Sequence, residues 1–427
     1  MKRLNFVRPL VLTAALVGAM TLTAKSQETN LTPATPSLSL DALVSEALEK
    51  NPELKFYEAE LAAAKAGRKT AGTFANPEVS GGVGQKTVRG GGVNAEGVAW
   101  SVSVVQPFEW PGRIGLRKAI ANRDIELAEL GYARFKIALA GRVRALAYGL
   151  FAAQEKAAAA GEVADRFQAL REVLVQRDAA GLTPVLETRI IEATELTMQR
   201  RASDATLAAQ AALLELNQLR GVAPKEPLRV APADLAFKAR TETETLLALA
   251  RTNNFELRLR AVELAQQGFC VDLAKNERFP VIAVGPSFAE ERAGDERQHI
   301  IGVGVSLPLP LWNRNNGNIE AAKARQVQAE VSYAVTQREV ERKVLEAALT
   351  YETKLRVMGK WRPDSVQHFK EAAELADRHY RLGAVQISIY VELQKQYLDA
   401  VESLLETKQA ALEAAAQLEL LTGKDAQ

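Results

Sequence analysis

The sequence has few of the side chains that build redox and metal centres. Its 427 residues include one cysteine, Cys270, which excludes an internal disulfide and a cysteine-rich metal site. The three histidines, His299, His368 and His379, have no cysteine or carboxylate at the spacing of metal ligands. No Gly-x-Ser-x-Gly motif occurs, and Gly90-Gly91-Gly92 does not lead into a helix as a phosphate-binding loop would. The sequence therefore predicts no cofactor, no metal site and no enzymatic activity.

Neither sign of charge dominates, and long apolar runs are rare. The 54 basic and 52 acidic side chains nearly cancel, which gives no electrostatic reason to expect a nucleic-acid partner. After the N-terminal segment no run of about 18 apolar residues appears, so we predict no membrane-spanning helix. The abundant residues are Ala, Leu, Glu, Arg, Gln and Lys, a composition that favours long helices.

The N-terminus has the pattern of an export signal. Lys2, Arg3 and Arg8 form a positive start, the residues from Leu10 to Thr23 are apolar or small, and Ala24-Lys25-Ser26 fits a cleavage site. The alternative is a membrane anchor, but about 14 residues are fewer than the roughly 20 that a spanning helix needs. We therefore predict a signal peptide at residues 1–26. No cysteine directly follows the apolar segment, so the sequence offers no site for an N-terminal lipid anchor.

The chain carries an internal repeat at an offset of about 202 residues. The landmarks that coincide under this shift are Asn51-Pro52-Glu53-Leu54 with Asn254-Phe255-Glu256-Leu257, Pro77 with Pro280, Pro107 with Pro308, Gly181 with Gly383, and Leu219 and Gly221 with Leu421 and Gly423. Chance similarity among Ala-rich helices is the alternative, but chance does not easily place prolines and glycines at one offset. We predict a first repeat at residues 27–222, a linker at 223–243, a second repeat at 244–423 and a tail at 424–427.

Each repeat contains a long helix that returns through a short turn. The stretch from Arg113 to Ala180 has no proline. Its apolar residues recur at alternating spacings of four and three, which is the heptad pattern of a coiled-coil contact line, here called the seam: Leu139, Val143, Leu146, Leu150, Ala153, Ala157, Ala160, Ala164 and Phe167. The second copy, about Asn318 to Tyr380, repeats this rhythm at Val340, Val344, Ala347 and Tyr351, with a kink expected at Pro363. A helix of about 65 residues is about 100 Å long, so the pattern predicts two extended antiparallel helical hairpins. A coiled-coil rod is the alternative.

Four short segments alternate between large apolar and small residues. Three of them are centred on Trp100-Val102-Val104, Ile282-Val284-Phe288 and Ile301-Val303-Val305, and the fourth is the Gly-rich stretch from Glu78 to Val88. Alternation predicts β-strands with one apolar face. We expect loops at Arg89–Gly97 and Glu291–His299, which leaves strands of about 9 to 11 residues, the length of a tilted transmembrane strand.

Four strands cannot close a barrel, and open sheet edges do not survive in hydrocarbon. If the strands span a membrane, at least two chains must combine, and three chains would give 12 strands around an open lumen. The alternative is a soluble sheet that caps a coiled coil. The predicted fold is mainly α with a small β part: duplicated helical hairpins and four strands per chain, assembling into a 12-stranded β-barrel continued by an α-helical barrel.

This duplicated plan resembles the outer-membrane efflux factor family of the TolC type, over roughly Leu38 to Gly423. Strings that look like its heavy-metal resistance branch, the cobalt–zinc–cadmium kind, are Asn51-Pro52-Glu53-Leu54, Asn76-Pro77-Glu78, Gln106-Pro107-Phe108-Glu109, and Ser306-Leu307-Pro308-Leu309-Pro310-Leu311 before Asn313-Arg314-Asn315. The resemblance implies a homotrimer in outer-membrane lipid with its helical barrel in the periplasm. It also implies two partners, a periplasmic adaptor and an inner-membrane transporter of the resistance-nodulation-division type.

The resemblance also implies which residues matter. The helix turns of the family close the channel and meet the adaptor, and here they match Gly181-Leu182-Thr183 and Arg381-Leu382-Gly383. Helix capping alone would equally account for the two glycines. Relatives place acids just past the turns, which makes Glu187 and Glu392 candidates for a cation-favouring constriction. A solvated helix face is the alternative, and the second copy has Ile389 where Glu187 aligns.

Tryptophans flank the predicted strands. Trp100, Trp110 and Trp312 are candidates for membrane-interface belts, with packing at the junction of barrel and helices as the alternative. The resulting interpretation is the outer-membrane channel of a tripartite efflux pump, a passive exit duct whose cargo could be heavy-metal cations. The competing functions are a periplasmic adaptor, which would carry one hairpin rather than two, and a structural coiled-coil protein of the envelope.

Overall fold

The structure is a computed structural model that describes residues 37–90, 93–178, 185–231, 235, 237, 242–362 and 364–423. The predicted signal peptide, the turn residues Gly181, Leu182 and Thr183, Pro363 and the tail at 424–427 lie outside the described residues. Among the helices described, none is long and apolar enough to cross a membrane.

The two halves of the chain place their elements in the same order, except that the long helix of the second half is divided in two. The first half consists of β1 (Ser37–Leu38), α1 (Leu40–Lys50), α2 (Glu53–Ala71), β2 (Glu78–Gly90), β3 (Val93–Phe108), α3 (Arg113–Asp178) and α4 (Val185–Arg220). The second consists of β4 (Arg229–Val230), α5 (Thr243–Asn253), α6 (Phe255–Asn276), β5 (Ile282–Ala293), β6 (Glu296–Ser306), α7 (Asn316–Met358), α8 (Ser365–Arg381) and α9 (Ile387–Thr422). The sequence did not predict the two-residue strands β1 and β4, which pair in parallel, nor the division of the helix before the strands into two in each half, at Asn51 and Asn254.

The first long helix is continuous, as predicted. Helix α3 has 66 residues and is therefore about 100 Å long. Most of its predicted seam is buried, whereas Leu146, Ala153 and Ala157 are half-buried. The buried seam shares its hydrophobic cores with residues of α4, α8 and α9. Burial against neighbouring helices is what stabilises a helix of this length.

The second long helix is broken, which corrects the prediction of one helix kinked at Pro363. Helix α7 ends at Met358, and α8 begins only at Ser365. Gly359 caps α7 through its N–H, which donates to the Leu355 carbonyl at 2.9 Å. The Arg362 N–H donates to the Ser365 hydroxyl oxygen at 3.1 Å, a side-chain bond that stands outside the helical ladder. A proline has no N–H to continue that ladder, so a break here is favoured over a bend.

The four longer strands form one antiparallel sheet in the order β2-β3-β5-β6. The predicted loops at Arg89–Gly97 and Glu291–His299 are wrong, because most of these residues are paired: Arg89 lies opposite Asn94, and Arg292 opposite Arg297. Polar side chains do not prevent backbone pairing, and Gly294 takes a φ of 60°, which allows a tight reversal between β5 and β6. The strands are accordingly 11 to 16 residues long rather than 9 to 11.

The register gives the sheet two faces of different chemistry, since cross-strand partners share a face. The first, which we call the apolar face, carries Val79, Val83, Val98, Trp100, Val102, Val104, Phe108, Ile282, Val284, Phe288, Ile301, Val303 and Val305. The second, the small-residue face, carries mainly Gly, Ala and Ser; its Ser80 and Ser103 hydroxyls lie 2.8 Å apart. On the apolar face Ile301 is 83% exposed, which is unusual for a side chain in water.

Two equivalent asparagines tie the helices of each half together. The Asn51 amide donates to the Leu219 carbonyl at 2.8 Å, and its oxygen accepts from the Glu53 N–H at 2.8 Å. In the second half the Asn254 amide donates to the Leu421 carbonyl at 2.7 Å, and its oxygen accepts from the Glu256 N–H at 2.9 Å. Each asparagine thus satisfies the start of one helix and the end of another.

Glycines at the ends of α4 and α9 allow these helix ends to lie close to the ends of α1 and α5. Gly221 and Gly423 end α4 and α9 with φ of 68° and 64°. A Cβ on Gly221 would lie 2.7 Å from the Lys50 carbonyl oxygen, and one on Gly423 would lie 2.3 Å from the Asn253 carbonyl oxygen. The asparagine and glycine landmarks of the sequence repeat are therefore one packing motif that occurs twice.

We expect Asn51→Ala and Asn254→Ala each to lower the free energy of unfolding by about 2 kcal/mol, because each leaves a buried carbonyl and a helix N–H without a partner. Denaturant titration of the detergent-solubilised protein, followed by far-UV circular dichroism, measures the change. The exposed Asn318→Ala is the control and should change it by less than about 0.5 kcal/mol. Equal effects for all three variants would contradict the stabilising role of the two asparagines.

Candidate functional site

The second helical hairpin reverses at Leu382-Gly383, where the sequence predicted a turn. The Gly383 N–H donates to the Tyr380 carbonyl and the Ala384 N–H to the His379 carbonyl, both at 2.9 Å, which are the two bonds of a Schellman cap. Gly383 has a φ of 72°, a left-handed conformation that favours glycine, and the space around it is open. The helix cap, not a close neighbour, therefore requires this glycine.

The two residues before this glycine differ in their contacts. Arg381 is held by its own helix, since its guanidinium donates to both Asp377 carboxylate oxygens at 2.9 and 3.4 Å. Leu382, in contrast, is 81% exposed. The first turn, with Gly181, Leu182 and Thr183, lies outside the described residues.

The two candidate pore acids lie near the starts of the returning helices. Glu187 is half-buried in the first turn of α4, and Glu392 is exposed on the second turn of α9. The Glu392 carboxylate accepts from the Gln396 amide at 2.9 Å. Neither acid pairs with a basic side chain among the described residues. An unpaired carboxylate keeps its full charge available to ions in water.

Exposed apolar side chains lie at the starts of the returning helices and beside Gly383, and the sequence did not predict them. Val185 and Leu186 at the start of α4 are 67% and 78% exposed, and Ile190 and Ile389 are also exposed. Together with Leu382 they form a group that we call the apolar tip. The sequence signal was present, as runs of Val, Leu and Ile directly after each turn. Exposed apolar groups of this size are typical of interaction surfaces.

The ends of both hairpins share one hydrophobic core behind this tip. Leu174 of α3, Ile191 of α4, Ala373 of α8 and Tyr390 of α9 are all buried in it. The Tyr390 ring lies 5.2 Å from that of Phe167. Burial, and next the Asp377 carboxylate, raise the pKa of the Tyr390 hydroxyl above that of an ordinary tyrosine. Because the hairpins share this core, they pack as one body and not as independent arms.

A polar network crosses the same region. Gln394 is fully buried; its amide donates to the Ala373 carbonyl at 2.8 Å, and its oxygen accepts from Arg166 at 3.3 Å. Arg166 also pairs with Glu162 at 2.6 Å and with Glu374 at 3.7 Å. These bonds connect α3, α8 and α9. Sequence reasoning did not find them, since a buried Gln in a helix looks like any other polar residue.

The three flanking tryptophans have different surroundings. Trp100 lies on the apolar face, with its ring 5.3 Å from that of Phe288. Trp110 stacks on Phe279 at 4.7 Å with an interplanar angle of 12°, which is packing at the junction of sheet and helices. Trp312 is 92% exposed after the end of β6.

The described residues contain no group of three His, Cys, Asp or Glu side chains that could hold a metal ion. The described residues form an amphipathic sheet, a helical body and an apolar tip.

Proteins of known sequence share this plan. The family described as outer membrane efflux protein matches residues 43–222 and, a second time, residues 246–424. The cobalt-zinc-cadmium resistance protein CzcC of Cupriavidus metallidurans is 25% identical over 359 residues, which cover 80% of either chain.

Solved structures show the same fold. The CmeC outer membrane channel of Campylobacter jejuni superposes with a TM-score of 0.73 at 17% identity, over 90% of this chain and 85% of CmeC. A membrane protein from Pseudomonas aeruginosa gives a TM-score of 0.72 at 19% identity, over 91% of each chain. With the family matched once in each half, covering most of the chain, this protein belongs to the outer membrane efflux protein family.

Proposed function

We propose that three copies of this chain form a passive exit duct through which an efflux pump releases divalent metal cations. The observation that carries this proposal is the sheet β2-β3-β5-β6, which has two open edges, one apolar face and one face of small residues. Open edges are not tolerated in hydrocarbon, so β2 of one copy must pair with β6 of the next. Twelve strands then close around a water-filled lumen.

The dimensions of the apolar face support a membrane span. On β3 it runs from Val98 to Phe108, interrupted by Gln106, about 33 Å along the strand at about 3.3 Å per residue. A strand tilt of about 40° reduces this to about 25 Å, the height of the apolar band of outer-membrane barrels. Towards the β2–β3 and β5–β6 turns the same face becomes charged: Glu290 lies opposite Trp100, and Arg89, Arg292 and Arg297 follow. Trp100 lies within the band and Trp312 past its opposite end.

The apolar tip is the proposed docking surface for a periplasmic adaptor, which connects the duct to an inner-membrane transporter of the resistance-nodulation-division type. Its exposed Leu186 and Leu382 supply the apolar contact, and the charge pair of Arg381 with Asp377 supplies a polar rim. An apolar centre with a charged rim is the usual anatomy of such an interface. Gly181, Leu182 and Thr183 belong to the same proposed surface.

The cargo is proposed from the 25% identity to the cobalt-zinc-cadmium resistance protein. Rings of three copies of Glu187 and Glu392 would favour cations at a constriction near the tip. The duct needs no cofactor and no catalytic residue, because the cargo moves down its gradient once the transporter has supplied it. We propose accordingly that the protein is not an enzyme.

In a planar bilayer the purified protein should give discrete single-channel conductance, because a closed barrel encloses water. Chemical cross-linking of the same preparation should yield a trimer. A monomer that carries no current would contradict the proposed duct.

We expect Glu392→Gln to weaken the preference for cations, because it removes three carboxylates from the constriction. The reversal potential in a salt gradient measures this. Glu413 is a matched control, since it is exposed on the same helix and also accepts from a glutamine four residues away, at 3.1 Å. It lies far from the turn, so Glu413→Gln should shift the reversal potential less. Equal shifts would remove Glu392 from the constriction.

Cells that lack this protein should grow less well than the parent in cobalt, zinc or cadmium salts, because the pump has lost its exit. Plasmid-borne wild type should restore growth, whereas Leu382→Asp should restore it less, since a charge disrupts the apolar tip. Unchanged tolerance of all three metals in the deletion strain would rule out these metals as cargo.

A further inference from the structure

Three polar side chains, Lys86, Glu291 and Gln298, form a row across the small-residue face of the sheet near its turns, which we call the polar bar. The Lys86 ammonium lies 2.7 Å from a Glu291 carboxylate oxygen and donates to the Gln298 side-chain oxygen at 3.1 Å. Lys86 is on β2, Glu291 on β5 and Gln298 on β6, so the bar reaches from one edge strand to the other. Both charged side chains are about three-quarters buried, which strengthens their attraction relative to a pair in open water.

The register explains how one lysine can reach two strands away. Lys86 lies opposite Gly97 of β3, which has no side chain, and Glu291 lies opposite Ala99. The lysine therefore extends over β3 without obstruction. A Cβ at Gly97 would lie 1.9 Å from the Arg292 carbonyl oxygen, so no larger residue fits there without moving β5.

The bar lies at the end of the sheet that is distant from the helices. Glu291 is three residues before Gly294, in the turn between β5 and β6, whereas the helices attach at the other ends of the strands. Among the described strand residues Lys86 is the one basic side chain on the small-residue face, and Glu291, Glu296 and Glu78 are its acids. Glu78 lies at the helix end, so the charges at the turn end are Lys86, Glu291 and Glu296.

We infer that Lys86 is a charge-selectivity determinant at the outer mouth of the duct, where its ammonium neutralises Glu291 on the lumen wall. This inference rests on the proposed function, because it needs the small-residue face to line the lumen. With Lys86 present, the mouth does not hold departing cations strongly. Without it, three copies of Glu291 join the three copies of Glu296 as uncompensated charge, and a ring of carboxylates favours cations.

Lys86→Gln should raise the cation-to-anion permeability ratio about two- to fourfold at 0.1 M salt, as expected for three added charges lying roughly a Debye length, about 10 Å, from the pore axis. The reversal potential in a potassium chloride gradient measures the ratio. The shift should shrink at 1 M salt, where the Debye length is about 3 Å. A change in pore width alone would not depend on salt in this way.

Three further variants isolate the charge. Lys86→Arg keeps the positive charge and should retain the wild-type ratio. Lys86→Gln combined with Glu291→Gln removes both charges and should return the ratio to near the wild-type value. Arg297→Gln removes one positive charge at almost the same height but on the apolar face, outside the lumen, and should leave the ratio within the error of the wild type.

The outcomes are distinguishable. A wild-type protein that carries no current overturns the duct and this inference together. A conducting wild type with an unchanged ratio in Lys86→Gln overturns this inference alone. An equal shift in Arg297→Gln also overturns it, since the effect would then not come from the lumen wall. If Lys86→Gln fails to assemble, Glu291→Gln alone decides: it leaves the three lysines uncompensated and should lower the cation-to-anion ratio, and an unchanged ratio overturns the inference.

Discussion

The architecture of this protein depends on the unpaired backbone N–H and C=O groups of the two edge strands, β2 and β6. Among the residues that the structure describes, β2 and β6 each have one side without a strand partner, and the sheet between them exposes a largely apolar face. In water this face would aggregate, and in lipid the unpaired N–H and C=O groups would each cost several kcal/mol. Pairing with neighbouring copies satisfies both demands at once, because it closes the edges and leaves the apolar face towards lipid.

The contacts among the helices hold the two long hairpins in fixed positions relative to the sheet. The repeated asparagine and glycine motif joins the start of a short helix to the end of a hairpin helix in both halves, through Asn51 with Leu219 and Asn254 with Leu421. The two halves meet again where β3 pairs with β5 and in the core around Tyr390. The duplication therefore fixes the ends of the hairpins, while the break between α7 and α8 makes the two hairpins unequal.

The sequence predicted the features that depend on the spacing of apolar residues and on the prolines, glycines and asparagines at the ends of elements. The seam of α3, the alternation at Trp100 to Val104 and the paired asparagine and glycine landmarks at Asn51, Asn254, Gly221 and Gly423 appear where expected. Three features were beyond it. The strand ends were misplaced because polar residues such as Arg89 and Arg297 pair as well as apolar ones, and the gap after Met358 was read as a bend. Contacts between distant segments, such as Lys86 with Glu291 or Arg166 with Gln394, need the register and the packing, which no local pattern contains.

The orientation of the sheet is the central claim, and the single natural cysteine makes it directly measurable. In a Cys270→Ser background, cysteines placed at Val303 and Gly304 lie on neighbouring positions of β6 and on opposite faces. In the reconstituted trimer we predict that Gly304→Cys reacts with a charged, membrane-impermeant thiol reagent. A fluorophore on Val303→Cys should be quenched by brominated lipid and not by aqueous iodide. The reverse pattern, or aqueous access to both positions, would contradict the account.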